Sequence, residues 1–448
     1  MTTLDRPQRR ALLGDAAFLF FASLLSSWAL HRAGFQQISD DDYARITIAQ
    51  RFVAAPRLDP SGTSWLPFPF WLLGGTLAIV GRSLTHARVA GAVLNGLFLL
   101  APRIVGDGRL PRAALNGAMV LLLATPWVAW VAAAPVPEAL VVGAVAAAAL
   151  ATTASRPSWA AATLLLIATL SRYEAWPCAL LWPLLTLTNR PAGQPRLSKA
   201  ALGYAFLPLL GPVAWLVANR LNHGDTLHFF ARVSGFRQRV GASELPFFEK
   251  LATYPRALVA VAPETLLASA LAAAGLALSR NSKETHQLVQ RWWRALALAA
   301  GLFAFLVYGI VKDGAPTHHP ERPLLPAVAI LLFFLGDAVA LSLRAAPVRG
   351  RASTVALVAF LGVYFAARTA REWRIFPGNA PAERRDEALA AGAAHQGDRG
   401  LVLRPCAYEH FAFLAAYGAP ELVEIHENPP GTTLPVAPGC PLVTVAGK

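Results

Sequence analysis

The sequence predicts an all-α polytopic membrane protein, with about eleven transmembrane helices and a small C-terminal α/β lobe outside the cytoplasm. Three observations predict it. Of 448 residues, 55% are hydrophobic and only 15% charged, against about a quarter charged in soluble domains, and mean hydropathy is +0.44. The apolar residues come in blocks close to the ~20 that an α-helix needs to cross ~30 Å of hydrocarbon. The tail, 371–448, is polar enough to be a soluble module.

Taken in order, Arg6, Arg9 and Arg10 precede the first apolar block, 11–30. Basic residues stay on the cytoplasmic side, so the N-terminus is expected there. No small-residue cleavage site follows the block, so it reads as a retained span. A polar stretch, 33–63, comes next. Ser39-x-x-Asp42 has the pattern of a capping box. Behind it Tyr43, Ile46, Ile48, Ala49, Phe52 and Val53 fall mostly on one helical face, which predicts an amphipathic helix on the outer membrane surface. The segment 65–80 is apolar but short and contains Pro67 and Pro69. Reading it as a second surface helix places the basic loops at Arg103/Arg109/Arg112, Arg190/Arg196/Lys199, Arg280/Lys283/Arg291 and Arg349/Arg351 inside, as the positive-inside rule requires. Further spans are then expected at 87–101, 113–131, 138–154, 158–171, 175–187, 201–219, 256–279, 293–311, 323–343 and 352–370. The external segments are 31–86, the turn 135–138, 220–255, 312–322 and the tail. Within the tail, helix-like 382–394 and 408–417 alternate with strand-like 400–403 and 421–425, the order of a small α/β lobe. The chain thus divides into a transmembrane domain, 1–370, and an extra-cytoplasmic domain, 371–448.

Net charge is +14. In a soluble protein that would suggest nucleic acid, but here the basic residues sit in short loops and no aromatic-basic platform appears. The bilayer is the expected partner. Of three cysteines, Cys178 lies in an apolar block, while Cys406 and Cys440 can pair if the tail is outside the cytoplasm. No cysteine pair has metal-ligand spacing.

Four constellations carry possible chemistry. Asp40-Asp41-Asp42 stands just beyond the first span. Vicinal carboxylates suit a general base with a neighbour that orients an acceptor or a divalent cation, and equally suit a helix N-terminus. Glu138, after Pro135 and Pro137, either joins the same site or opens the next helix. Ser171-Arg172-Tyr173-Glu174 interrupts two apolar blocks. Arg172 suits a phosphate with Glu174 holding it, or the two form a local pair that serves the turn. His318-His319-Pro320-Glu321-Arg322 suits an anion, or is an ordinary polar loop. Asn222-His223-Gly224-Asp225 with Phe229 and Phe230 reads as scaffold. With eleven spans, the acidic and basic sites all fall on one side of the membrane at span boundaries.

With these residues the chain resembles the integral-membrane glycosyltransferases of the GT-C superfamily, the group containing protein O-mannosyltransferases and lipid A aminoarabinose transferases. The matching features are Asp40-Asp41 with Asp42-Tyr43, the aromatic stretch Ser64-Trp65-Leu66-Pro67-Phe68-Pro69, the Arg172-Tyr173-Glu174 turn, Asn222 to Asp225, and the run Arg322 to Pro326. The resemblance covers about 10–370. It implies a GT-C-like fold in a bacterial inner membrane and transfer of a sugar from a polyprenyl-phosphate donor to a glycan, lipid or protein acceptor on the outer face. It also implies that Asp40 or Asp41 is the base, that Glu138 is the acid of the second external loop, and that Arg172 contacts the donor phosphate, with Arg322 a further contact. Asp42, Tyr43, Tyr173, Glu174, His318 and His319 would line the substrate site. Three aspartates in place of the usual pair leave the register of the base open. No cofactor is implied with certainty, and a divalent cation could sit at Asp40/Asp41. The alternative is a transporter or flippase of a lipid-linked saccharide, which calls for mid-membrane charges and inverted repeats. Here the charges lie mainly at boundaries and no repeat stands out.

Overall fold

A computed structural model describes residues 6–154, 158–188, 198–239, 245–278, 283–313, 319–345, 348–376, 383–403, 409–425 and 443–445. Each of the eleven expected spans overlaps helix. Among the described residues, five helices are long and apolar enough to cross a membrane alone: Arg6–Arg32 (α1), Leu84–Val105, Lys199–His223, Lys283–Lys312 and Arg322–Arg344. Two expected spans are broken. The 113–131 block bends by 71° between Ala124 and Pro126, and the 256–279 block by 99° between Val261 and Pro263. Proline lacks an N–H and forces the preceding residue out of the helical region, and Thr125 is accordingly extended (ψ 123°). Counting each bent pair as one gives seven. The chain is an integral membrane protein.

The centre of the bundle is Glu138–Thr152, in which every residue is buried. Its Ala-rich sequence explains this. Lipid tails are as apolar as side chains, so helices associate in a membrane by close packing of small residues. A Cβ on Gly143 would stand 2.0 Å from the Phe98 carbonyl oxygen. Gly143→Ala is therefore expected to destabilise the bundle by about 1–3 kcal/mol through overpacking, measured as a lower melting temperature in detergent.

Two short helices follow α1, Asp41–Ala54 (α2) and Phe68–Val80 (α3), before Leu84–Leu99 (α4). At 1.5 Å per residue α3 is about 20 Å long, too short to span. Its first amide donates to Leu170 (3.1 Å). Just past its end, Gln50 of α2 donates to the Arg82 carbonyl (2.7 Å). Its start is thus tied to the end of the helix Trp159–Thr169, and the residues just past its end are tied to α2. The expectation for α2 needs correction. It is not a helix lying open on a surface, for Asp42 to Thr47, Ala49 and Gln50 are all buried. One side meets α3, where Gly74 allows close approach. The other meets the C-terminal lobe.

That lobe follows the expected order: helix Glu383–Ala394, strand Leu401–Leu403 (β1), helix His410–Tyr417 and strand Val423–Ile425 (β2), joined by Val443–Val445 (β3). β1 lies centrally, parallel to β2 and antiparallel to β3. Among the described residues the lobe's core is a shared one. Leu401, Leu403, Phe413 and Tyr417 share one with Tyr43, Ile46, Leu77 and Ala87. Cys406 and Cys440 lie outside the described residues, and Cys178 is a buried free thiol.

Candidate functional site

The fold sorts the three aspartates into three environments. Asp40 accepts two hydrogen bonds from Arg385 of the lobe (2.7 and 2.9 Å). Asp42 is buried, and its Oδ2 accepts from the Ile38 amide (2.7 Å) while Oδ1 has no partner. Asp41 is half-buried and carries neither hydrogen bond nor ion pair among the described residues. The expected capping box between Ser39 and Asp42 does not form. The N-cap is Asp40 with no side-chain cap bond, the Ser39 hydroxyl is unpartnered, and Asp42 reaches back to Ile38. Asp42's role in closing the first turn is thus local, and a sequence pattern one residue wide does not fix which amide it selects.

Burial pushes Asp42 up to about 6, against the nearby Arg322 and the Ile38 amide, which pull it down. A carboxyl that holds its proton more tightly when folded contributes stability that is fully present below the unfolded pKa near 4. That stability is lost as pH rises through 6. Asp42→Asn keeps an acceptor for Ile38 and removes the buried charge. It is expected to melt like the wild type at pH 4 and above it at pH 8, by on the order of 3 kcal/mol. The same difference at both pH values would contradict this.

A second cluster is built from three distant segments. Glu138 opens the central helix, where the helix dipole favours a carboxylate. Arg172 stands in extended conformation before the 3₁₀ turn Tyr173–Ala175. Arg322 opens another 3₁₀ turn, Arg322–Leu324. Both guanidiniums donate to the same Glu138 oxygen, Arg322 at 2.6 Å, and Arg172 also donates to Glu174. Glu138 Oε2 and Arg322 Nε are buried without partners. Charge-assisted pairs of this kind are strong only when shielded from water, as here.

Arg45 joins the two clusters. It lies one turn beyond Asp41 on α2, with its guanidinium 4.4 Å from the Trp65 ring and 5.9 Å from Phe70. It is 8% exposed and makes no hydrogen bond among the described residues, its Nε being one of the buried unpartnered atoms. It feels the charges of Glu138, Asp41, Arg172 and Arg322. Burial lowers it to about 10, so it stays protonated at neutral pH. Sequence reasoning missed it. The available signal was an arginine between Tyr43 and Ile46, within an otherwise apolar helical face. Arg385 was missed as well, and no local signal points to it.

The remaining expected residues have other employment. The Tyr173 hydroxyl donates to Ser64 (2.6 Å) and accepts from Trp215 (3.0 Å), and its ring stacks on Phe229 at 4.9 Å. Burial raises its pKa. It fastens the turn that presents Arg172. Tyr43 is buried, its hydroxyl accepting from Arg88 (3.3 Å). His319 adopts φ 42°, unusual for a side chain other than glycine. Its carbonyl accepts from the Arg322 amide (3.2 Å), and its ring lies 5.3 Å from Trp127. It shapes the turn that carries Arg322. His318 lies outside the described residues. Gly224 ends its helix at φ 73°, and Asp225 accepts from the Leu227 amide (2.9 Å). Among the described residues, no three His, Cys, Asp or Glu side chains stand where they could hold a metal ion.

The coordinates resemble those of ArnT from Cupriavidus metallidurans, crystallised bound to undecaprenyl phosphate. The TM-score is 0.56, with 14% identity, over 93% of this chain and 86% of that one. No family model matches the sequence, and no curated protein matches it. At this identity the likeness speaks to architecture, and it spans both the helical bundle and the lobe. The chain shares the fold of that structure.

Proposed function

We propose that this protein is a glycosyltransferase that moves a sugar from a polyprenyl-phosphate donor to an acceptor hydroxyl. The observation that carries the reading is Arg45, a buried cation without a hydrogen bond, in one charge cluster with an unpaired carboxylate, Asp41. A phosphate supplies what Arg45 lacks, and Arg322 offers a second unpartnered donor. Undecaprenyl phosphate in the ArnT crystal is a ligand of this class. The site lies where helices begin, so a prenyl chain can enter from the bilayer while the acceptor comes from the aqueous side. The site-bearing end then faces outward, with the N-terminus in the cytoplasm, as in a bacterial inner membrane.

In the reaction, Asp41 takes the proton of the acceptor hydroxyl. The oxygen attacks the anomeric carbon as the bond from that carbon to the phosphate oxygen breaks, and polyprenyl phosphate leaves. Arg45, Arg172 and Arg322 stabilise the negative charge that gathers on the leaving phosphate. A single displacement inverts the anomeric centre. Asp40, tied to Arg385, and Asp42, facing inward, are less free to reach an acceptor.

The test supplies labelled polyprenyl-phosphate sugars to purified protein in lipid. Formation of a glycosylated acceptor with release of polyprenyl phosphate supports the reading. Movement of intact donor across the bilayer without cleavage would overturn it in favour of transport.

A further inference from the structure

We infer that the C-terminal lobe positions the aspartate helix, and that Arg385 is the positioning residue: by holding Asp40 it fixes the backbone from which Asp41 projects. This rests on the reading of Asp41 as base. Among the described residues, Arg385 is the lobe's charged contact with the start of α2. Its Nε and Nη2 both donate to Asp40 Oδ1 (2.9 and 2.7 Å). With the Gln37 amide oriented so that its nitrogen donates to the Tyr43 hydroxyl (2.8 Å), its oxygen accepts from Arg385 as well (2.6 Å to Nε). One guanidinium therefore grips the chain just before the helix and at its start. The last turns of α2 are tied independently, since Gln50 donates to the Ala415 carbonyl of the lobe (2.9 Å) and to the Arg82 carbonyl (2.7 Å), and Arg82, beyond α3, pairs with Glu421 of the lobe (2.6 Å).

Two physical points separate positioning from mere adhesion. The apolar core shared by Tyr43, Ile46 and Phe413 already docks the lobe, so Arg385 is not needed to hold it there. The first turn, by contrast, lacks a side-chain cap. Its order depends on the amide bonds of Asp42 to Ser39 (3.1 Å) and Ala44 to Asp40 (3.2 Å), together with Ile38 to Asp42 Oδ2. Fixing Asp40 fixes the residue next to it. A reacting group must be held within about 0.5 Å of its productive place, and small misplacements cost rate.

The experiment compares the wild type with Arg385→Met and Arg385→Lys, each alone and combined with Asp40→Asn, in the full-length protein in lipid. Two readouts are taken: amide hydrogen exchange over 36–46, and kcat and KM for sugar transfer. Arg385→Met is expected to speed exchange at Ile38, Asp42 and Ala44 by about 3–10-fold. It should lower kcat by roughly 10-fold, as Asp40→Asn should, while KM for the donor stays within about 2-fold. Arg385→Lys should recover part of both. In the Asp40→Asn background, Arg385→Met should add less than about 2-fold, because the two act as a unit. Unchanged exchange over 36–46, effects that multiply in the double variant, or a loss explained wholly by a lower melting temperature would each overturn the inference. A wild type that transfers no sugar would instead sink the function proposed above, and the exchange readout would still decide whether Arg385 orders the turn.

Discussion

Asp41→Asn is expected to reduce sugar transfer by about 10²- to 10⁴-fold, the range supplied by a positioned general base. The substitution keeps size and hydrogen bonding but cannot take a proton. The half-buried Asp41 has no ion pair or hydrogen bond among the described residues to lose, so folding should be little affected and the loss should appear in kcat at unchanged protein level. The neighbours give the controls. Asp40→Asn loosens the grip of Arg385 and should cost roughly 10-fold through position. Asp42→Asn removes an inward-facing carboxyl and should stay within about 10-fold, since it does not meet the acceptor. Initial rates for the three variants, at saturating donor and matched amounts of folded protein, separate these cases. If Asp42→Asn proves the inactive variant while Asp41→Asn transfers normally, the buried carboxyl near pKa 6 is the base and the assignment moves by one residue.

How far the sequence foretold this arrangement follows from the range of the interactions involved. Helical blocks and the alternation of the tail are set by local composition, and the first span, 11–30, sits inside the helix Arg6–Arg32 as hydropathy requires. The helix 382–394 is observed at Glu383–Ala394 for the same reason. The breaks at Pro126 and Pro263 were legible as prolines, but a hydropathy average does not see them. The misreading of α2 is of another kind. Its apolar stripe was correctly found, yet its polar side is buried too. The partners there, the Ala415 carbonyl for Gln50 and Arg385 for Asp40, come from a segment more than 300 positions away. The same holds for Glu138, Arg172 and Arg322. Each was recognisable as a charge at a span boundary, but only packing decides that one carboxylate oxygen serves both guanidiniums. Tyr173 shows the converse, for its position beside Arg172 suggested substrate contact while its hydroxyl is used between Ser64 and Trp215.

That shared carboxylate leads to the second large effect. Glu138→Gln is expected to destabilise the protein by about 3–5 kcal/mol, the cost of leaving buried charges without their partner. Glutamine keeps an acceptor but no charge. Arg172 retains its ion pair with Glu174, whereas Arg322 makes no second ion pair among the described residues and keeps only the charge of nearby Asp42. Adding Arg322→Gln should therefore recover part of the loss, and Arg172→Gln should recover less. Thermal melts of the purified variants in detergent give the comparison. A ligand sharpens it. If the three arginines form a phosphate site, an added phosphate anion replaces the missing negative charge in Glu138→Gln. Undecaprenyl phosphate should then raise the melting temperature of that variant more than that of the wild type, through ordinary coupling of binding to folding. Inorganic phosphate at equal concentration tests whether the headgroup alone suffices. Equal shifts in variant and wild type would mean that the lipid binds elsewhere, and that the Glu138 cluster is a structural knot of the bundle.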